Sequence, residues 1–340
     1  MSTRKKTRVT KKKKARVTKK KKKARVTKKK KVRVTKKPPA AKPRQLKVLA
    51  AAFSGDGKVL ATASGKRVLL WDVASKKAKA IGVVKTQVDA SRLALDVDGK
   101  RVAAAVAGFS EVRIRSTSSG VLLHEVRARG AVTCFSFAPD GRFVLGEVER
   151  IGEDGLRARS FVTVVDLATG AELFRQAVLD LPIREIAFSK DGFLLSLGFG
   201  GGVVVIFDLE KRRELFRFPM LDPARDMGEI GTRIAASFAF SKDGRRAAVQ
   251  WGNVVEIWPI DGGERIANID LKERAWSVAL SHDGTRVVVG APAAGVWSLT
   301  GKKLKSLDVG HDVIATPDAG RVLAGTKMDA KGGPALLDTD

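Results

Sequence analysis

The chain of 340 residues has no tyrosine, a single cysteine, three histidines and only 6% aromatic residues. One cysteine, Cys134, excludes an internal disulfide framework and leaves a small, buried, inert thiol as the expectation. The histidines, His124, His282 and His311, stand far apart and none falls in a zinc-binding spacing. No run of 18 or more apolar residues occurs, so no membrane-spanning helix is expected. The lysine-rich N-terminus has no apolar stretch behind it, so a secretory signal is not expected. Met-Ser-Thr lacks the glycine of a myristoylation site, and no C-terminal prenylation cysteine exists. These absences point to a cytoplasmic protein, nucleoid-associated in a bacterium or nuclear in a eukaryote. Alanine- and arginine-rich usage without tyrosine suits a GC-rich genome.

Residues 1–44 contain no Asp or Glu but 24 Lys and Arg. The whole chain has 65 basic and 36 acidic residues, so residues 45–340 carry 41 against 36, or only +5. The basic segment repeats a phrase, Arg-Val-Thr followed by lysines, starting at Arg8, Arg16, Arg25 and Arg33. The spacings of 8, 9 and 8 keep no helical face. One valine per phrase buries too little to offset the entropy of ordering the backbone, so disorder is expected. Pro38, Pro39 and Pro43 make an extended linker, with a boundary near Arg44.

Such a block suits a polyanion. A membrane would need a second, apolar anchor, which is absent. Nucleic acid is the expected partner, DNA or RNA, bound through phosphates. There are no aromatics for stacking and no amides for base edges. The candidate contacts are Arg8, Lys11, Lys12, Arg16, Lys19, Lys20, Lys21, Lys22, Lys23, Arg25, Lys28, Lys29, Lys30, Lys31 and Arg33. Thr10, Thr18, Thr27 and Thr35 serve as polar spacers, in surroundings that basophilic kinases favour. In composition residues 1–37 resemble the lysine-rich tails of linker histones and bacterial histone-like proteins. A solubility tail, or a tail for anionic surfaces, is the plainer alternative.

From residue 45 short apolar runs alternate with a recurring turn signal. It reads AFSGDGKVL (52–60), ALDVDGKRV (94–102), SFAPDGRFV (136–144), AFSKDGFLL (187–195), AFSKDGRRA (239–247) and ALSHDGTRV (279–287). IATPDAGRVL (314–323) is a weaker copy. The glycines Gly57, Gly99, Gly141, Gly192, Gly244, Gly284 and Gly320 are spaced by 42, 42, 51, 52, 40 and 36. Asp-Gly between alternating apolar runs marks a hairpin, because glycine accepts the positive φ of a tight turn. A second run follows each copy and closes on Trp71-Asp72, Arg115-Ser116, Val165-Asp166, Phe207-Asp208, Trp258-Pro259, Trp297-Ser298 or Leu337-Asp338. Four short strands per repeat of about 42 residues make a propeller blade.

Over 45–340 the sequence resembles the WD-repeat β-propeller family, and more closely its bacterial members. The Gly-His dipeptide is missing and Trp-Asp survives only at Trp71-Asp72. The resemblance implies an all-β, seven-bladed propeller. Its last repeat stops after a third strand, so a three-stranded blade or one completed by a partner is expected there. Phe53, Phe137, Phe188 and Phe238 are expected in the core of the innermost strands.

The long spacings locate two excursions, 147–160 and 219–232, expected as loops on one face. The first carries Glu147, Glu149, Glu153, Asp154, Arg157 and Arg159, and the second Asp222, Arg225, Asp226 and Glu229. Their mixed charge suits a protein partner. Gly198–Gly202 reads as a hairpin rather than a phosphate loop, because no Lys-Ser/Thr follows. No catalytic constellation and no cofactor motif appears. The expected function is therefore a non-enzymatic, monomeric interaction scaffold with a nucleic-acid-binding tail. A propeller enzyme with polar channel residues is the alternative from another class. Removing residues 1–44 is expected to leave the propeller folded. Melting temperatures of truncated and full-length protein should agree within a few degrees, and loss of folding would show that the N-terminus completes a blade.

Overall fold

A computed structural model of the chain describes residues 48–340. Within that span it leaves out 75–77, 152–156, 190, 200–202, 218–234, 242, 274, 276, 282, 291–293, 308–312, 316–320, 329–333 and 339–340. The regular elements among the described residues are all strands. The first blade is β1 (Ala50–Phe53), β2 (Val59–Ser64), β3 (Arg67–Asp72) and β4 (Lys79–Lys85). The second is β5 (Arg92–Leu95), β6 (Arg101–Ala105), β7 (Glu111–Ser116) and β8 (Leu122–Arg127). The third is β9 (Ala131–Phe137), β10 (Arg142–Ile151), β11 (Arg157–Asp166) and β12 (Glu172–Ala177). The fourth is β13 (Ile183–Phe188), β14 (Leu194–Phe199), β15 (Val204–Asp208) and β16 (Arg213–Arg217). The fifth is β17 (Ala235–Phe240), β18 (Arg246–Trp251), β19 (Val254–Pro259) and β20 (Ala267–Asp270). The sixth is β21 (Ser277–Leu280), β22 (Arg286–Gly290), β23 (Gly295–Ser298) and β24 (Lys303–Ser306). The last sheet holds only β25 (Val313–Ala315), β26 (Arg321–Met328) and β27 (Pro334–Asp338).

Each sheet is an antiparallel meander in chain order, and β25 lies beside both β21 and β1. The expectation of seven blades is corrected: six sheets have the four strands of a complete blade, and the C-terminal sheet has three. The reason is that no described strand pairs with the second edge of β27.

The turn motif carries more chemistry than its Asp-Gly. In the first blade Ser54 Oγ donates to Asp56 Oδ1 at 2.6 Å and accepts from the Val59 amide at 2.9 Å, while the Lys58 amide donates to Asp56 at 3.0 Å. Ser241 with Asp243, and Ser281 with Asp283, repeat this pattern. In the second blade Asp96 replaces the serine and accepts from the Arg101 amide at 2.9 Å and from its Nε at 2.7 Å. The serine or aspartate three residues before the glycine thus pins the first residue of the next strand, as side chains of these types do in turns.

The core lies between sheets, so most middle strands are buried on both faces and read as continuous apolar runs. Val204–Phe207 and Val287–Val289 are examples, each residue at most 2% exposed. Phe137 and Phe135 from β9 pack on Phe143 of β10, with ring centroids 4.9 and 5.7 Å apart, beside Val112 and Ile114 of the second blade. Phe137 is buried as expected, whereas Phe53 and Phe188 are only partly buried and line a central cavity. Phe240 lines the cavity from the fifth blade, and the side chain of Phe238 lies outside the described residues. The register explains this: alternate residues of an innermost strand face the sheets and the axis.

Neighbouring blades touch at some of the turn glycines, Gly99 and Gly284 most closely. A Cβ on Gly99 would come within 2.7 Å of Val59 Cγ2 and 2.8 Å of Val59 Cβ, in the preceding blade. Gly99 also has φ +70°, whereas Gly120, at φ +71°, has nothing within 4 Å of the same position. The pair separates backbone strain from inter-blade crowding. Gly120→Ala should cost about 1–2 kcal/mol for the left-handed conformation. Gly99→Ala should cost about 1–3 kcal/mol more, from overpacking against a stiff β-branched neighbour. Urea denaturation of both variants measures the difference, and equal losses would show that the contact is not restrictive.

Candidate interaction surfaces and central cavity

Three places could carry function: the basic repeats, the excursions and the cavity on the axis. The tail residues from Arg8 to Arg33 lie outside the described residues, as do Glu153, Asp154, Asp222, Arg225, Asp226 and Glu229.

The first excursion is mostly not a loop. β10 and β11 pair without interruption from Arg142↔Asp166 to Ile151↔Arg157, ten residues on each strand. Arg157 and Arg150 are exposed at its far end, while Arg159 pairs with Asp180 at 2.9 Å. Glu149, expected as a free binding residue, is instead in an ion pair with Arg175 of β12 at 2.8 Å.

Beneath it lies a buried polar network. Glu147 is fully buried and accepts three hydrogen bonds: from Thr163 Oγ1 at 2.6 Å, the Gly130 amide at 2.9 Å and Arg175 Nε at 2.5 Å. The Arg175 guanidinium lies over the Phe161 ring, 3.5 Å from its centroid. Burial works to raise the Glu147 pKa, but the Thr163, Gly130 and Arg175 donors outweigh it and hold the carboxyl below 4.5. Sequence reasoning placed Glu147 in a loop and missed this role. The available signal was its position directly after the apolar Phe143–Gly146 run, where a strand would continue.

The Asp-Gly aspartates are turn formers. Asp283, for instance, is lowered to about 2 by bonds from the Ser281 hydroxyl and from the Thr285 amide and hydroxyl. Cys134 is buried against Gly146, and burial pushes its thiol up to about 12, so it is inert at neutral pH. His124 lies on β8, and His282 and His311 fall outside the described residues. Among the described residues no three His, Cys, Asp or Glu side chains are grouped to hold a metal, and no helix is long and apolar enough to cross a membrane. β14 and β15 are paired antiparallel from Leu194↔Asp208 to Gly198↔Val204, and Gly200, Gly201 and Gly202 of the glycine-rich stretch lie outside the described residues.

The innermost strands surround a cavity of about 750 Å³. Its wall is largely apolar, with Phe53, Leu93, Ile186, Phe188 and Val278 among the lining residues. Two lining residues carry charge, Asp56 and Glu185, and both are acids. Glu185 follows a register shift in β13, between Ile183 and Glu185, and is exposed to the cavity. The surrounding protein partly desolvates it, and this pushes its carboxyl up to about 8.

In the first blade Trp71 Nε1 donates to Thr62 Oγ1 at 3.0 Å within the buried sheet. This is the one repeat to end in Trp-Asp. A family model described as "WD domain, G-beta repeat" matches residues 42–72, the stretch that ends on that dipeptide. No curated protein matches the chain significantly.

The buried network gives a direct test. Glu147→Gln should destabilise the protein by about 3–5 kcal/mol at pH 7, because Arg175 loses its charge partner. The folded pKa is depressed, so the Glu147 contribution is present above the ordinary carboxylate value of 4.5 and is lost as pH falls through the folded value. Urea unfolding at pH 7 and pH 3 should therefore show the gap between wild type and variant narrowing in acid. A constant gap would contradict the ionised network.

Proposed function

We propose that this chain, whose four-stranded meanders are propeller-like and whose residues 42–72 match a WD-repeat model, is a WD-repeat-type, non-enzymatic protein-interaction scaffold whose basic tail binds nucleic acid without sequence preference. Propellers of this family are typically interaction scaffolds. The observation that carries the second half is the segregation of charge. Residues 1–44 hold 24 of 65 cationic side chains and no acid, whereas the rest of the chain is close to balanced. Phosphate contact needs only this charge, and base reading needs groups the tail lacks. We read the three-stranded sheet as a seventh, incomplete blade.

The protein-binding half is supported by the lengthened β10–β11 hairpin, which presents Arg150 and Arg157 beyond the sheet. A rigid hairpin anchored through Glu147 and Arg175 offers a preorganised surface, which lowers the entropic cost of docking. The partner is a protein rather than a second nucleic acid, because Glu153 and Asp154 lie between the two strands in sequence.

A salt titration of duplex DNA binding tests the tail. Each cation that engages a phosphate releases condensed counterions, so about ten contacts should give a slope of log affinity against log salt near −9. Replacing Lys19 to Lys23 should flatten the slope and weaken all sequences alike. Equal affinity with and without residues 1–44, or a shallow slope for the full chain, would overturn the reading.

A further inference from the structure

The central cavity departs in character from the chain around it. The protein carries a net charge of +29, yet among the described residues no Lys, Arg or His lines this space. Its two charged side chains are Asp56 and Glu185. Asp56 is already engaged. Burial works to raise its pKa, but bonds from the Ser54 hydroxyl and from Lys58 prevail and hold it low. Glu185 differs in kind, for among the described residues no side chain hydrogen-bonds or pairs with it, and much of the surrounding wall is apolar.

The neighbours of β13 do not supply a counter-charge either. β14 and β17 contain no charged residue. On β9 the closest titratable group is the inert Cys134 thiol. β10 carries Arg142, Glu147, Glu149 and Arg150; the first pairs with Asp140, the next two with Arg175, and Arg150 sits on the exposed hairpin end. Arg92 of β5 donates through Nε to the Thr133 carbonyl and is not part of the lining. Arg184, beside Glu185, is exposed and also outside the lining.

Among the described residues, the Glu185 carboxyl in this largely apolar cavity has no counter-charge to stabilise its ionised form. A ligand with a cationic head and an apolar body supplies both missing partners: charge for the carboxylate and surface for the wall. Phe53, Phe188 and Phe240 among the lining residues add ring faces of the kind that attract organic cations. We propose that the central cavity is a binding site for a small organic cation, with Glu185 as its counter-charge. The site is independent of the tail and of the hairpin, and it requires no chemistry on the ligand.

Binding and proton release are then linked. The cation selects the ionised carboxylate, so affinity scales with the fraction of Glu185 that has lost its proton. With its carboxyl at about 8, roughly a tenth of Glu185 is ionised at pH 7 and about three quarters at pH 8.5. Affinity should therefore rise about eightfold over that interval, and about 0.9 proton should leave per ligand bound at pH 7.

The test uses the full chain and benzyltrimethylammonium, whose charge does not change with pH, with benzyl alcohol as the neutral comparator. Binding is followed by ligand-observed NMR at fixed ionic strength across pH 6.5–9, and proton release by calorimetry in buffers of different ionisation enthalpy. The expected result is preferential binding of the cation with the stated rise. Glu185→Gln should lose both the preference and the pH dependence while keeping the native circular dichroism spectrum. Should that variant fail to fold, the wild-type pH profile and the neutral comparator decide alone. A flat profile, equal binding of benzyl alcohol, or an unchanged Glu185→Gln titration would overturn the proposal. So would binding found only for a lysine side chain within a peptide and for no free cation. None of these outcomes bears on the salt dependence of nucleic-acid binding.

Discussion

The joint between blades is the constraint on which the rest of the architecture depends. Each sheet can bury its faces only against its neighbours, so the ring stands or falls with the closeness of that approach. The turn glycine serves two ends at once. Its positive φ reverses the chain between the first two strands, and its missing side chain lets the preceding blade come near, as Val59 does at Gly99. Elsewhere the same junction is bridged by hydrogen bonds. Arg142 Nη2 donates to the Gly192 carbonyl at 3.0 Å, and Arg246 Nη1 to the Gly284 carbonyl at 3.0 Å. A residue that looks like local punctuation in the sequence is therefore a tertiary contact as well.

Within the blades, two different solutions hold the middle strands. The first blade uses Trp71 and Thr62, a neutral pair in a buried sheet. The third buries a carboxylate, Glu147, and surrounds it with Thr163, the Gly130 amide and Arg175. A buried ion pair of this kind is weak evidence for extra stability, since the cost of desolvating both charges offsets their attraction. Its value is directional: the guanidinium is locked between Phe161 and the two glutamates, and the hairpin above inherits a fixed base.

The blades were legible in the sequence because their signals are local. Asp-Gly turns, the serine three residues upstream and the alternating runs all act within ten residues of one another. The hairpin was mistaken for a loop because Glu147, Glu149, Arg157 and Arg159 look solvent-loving one at a time. The two glutamates pair with Arg175, which is 28 residues away from Glu147 in the chain, and Arg159 pairs with Asp180, 21 residues on. Glu185 was missed for a related reason. Nothing next to it in sequence says that Phe53, Leu93 and Val278, from three other blades, line the same cavity, and a register shift lies between Ile183 and Glu185. Phe53 and Phe188 stand on the expected innermost strands, but both are only partly buried and line the cavity.

The β10–β11 hairpin also has an implication for how this molecule tolerates change. Its ten pairs run without a slip, so the added length is symmetrical, the same number of residues on each strand. An odd addition to one strand would have exchanged its inward and outward faces and exposed Val144, Val162 and Val164. The blade-to-blade surface ends well before the hairpin does, so growth beyond it is invisible to the core. This position is in effect an insertion port with a parity rule, where foreign strand pairs can be grafted in matched increments without renegotiating the ring.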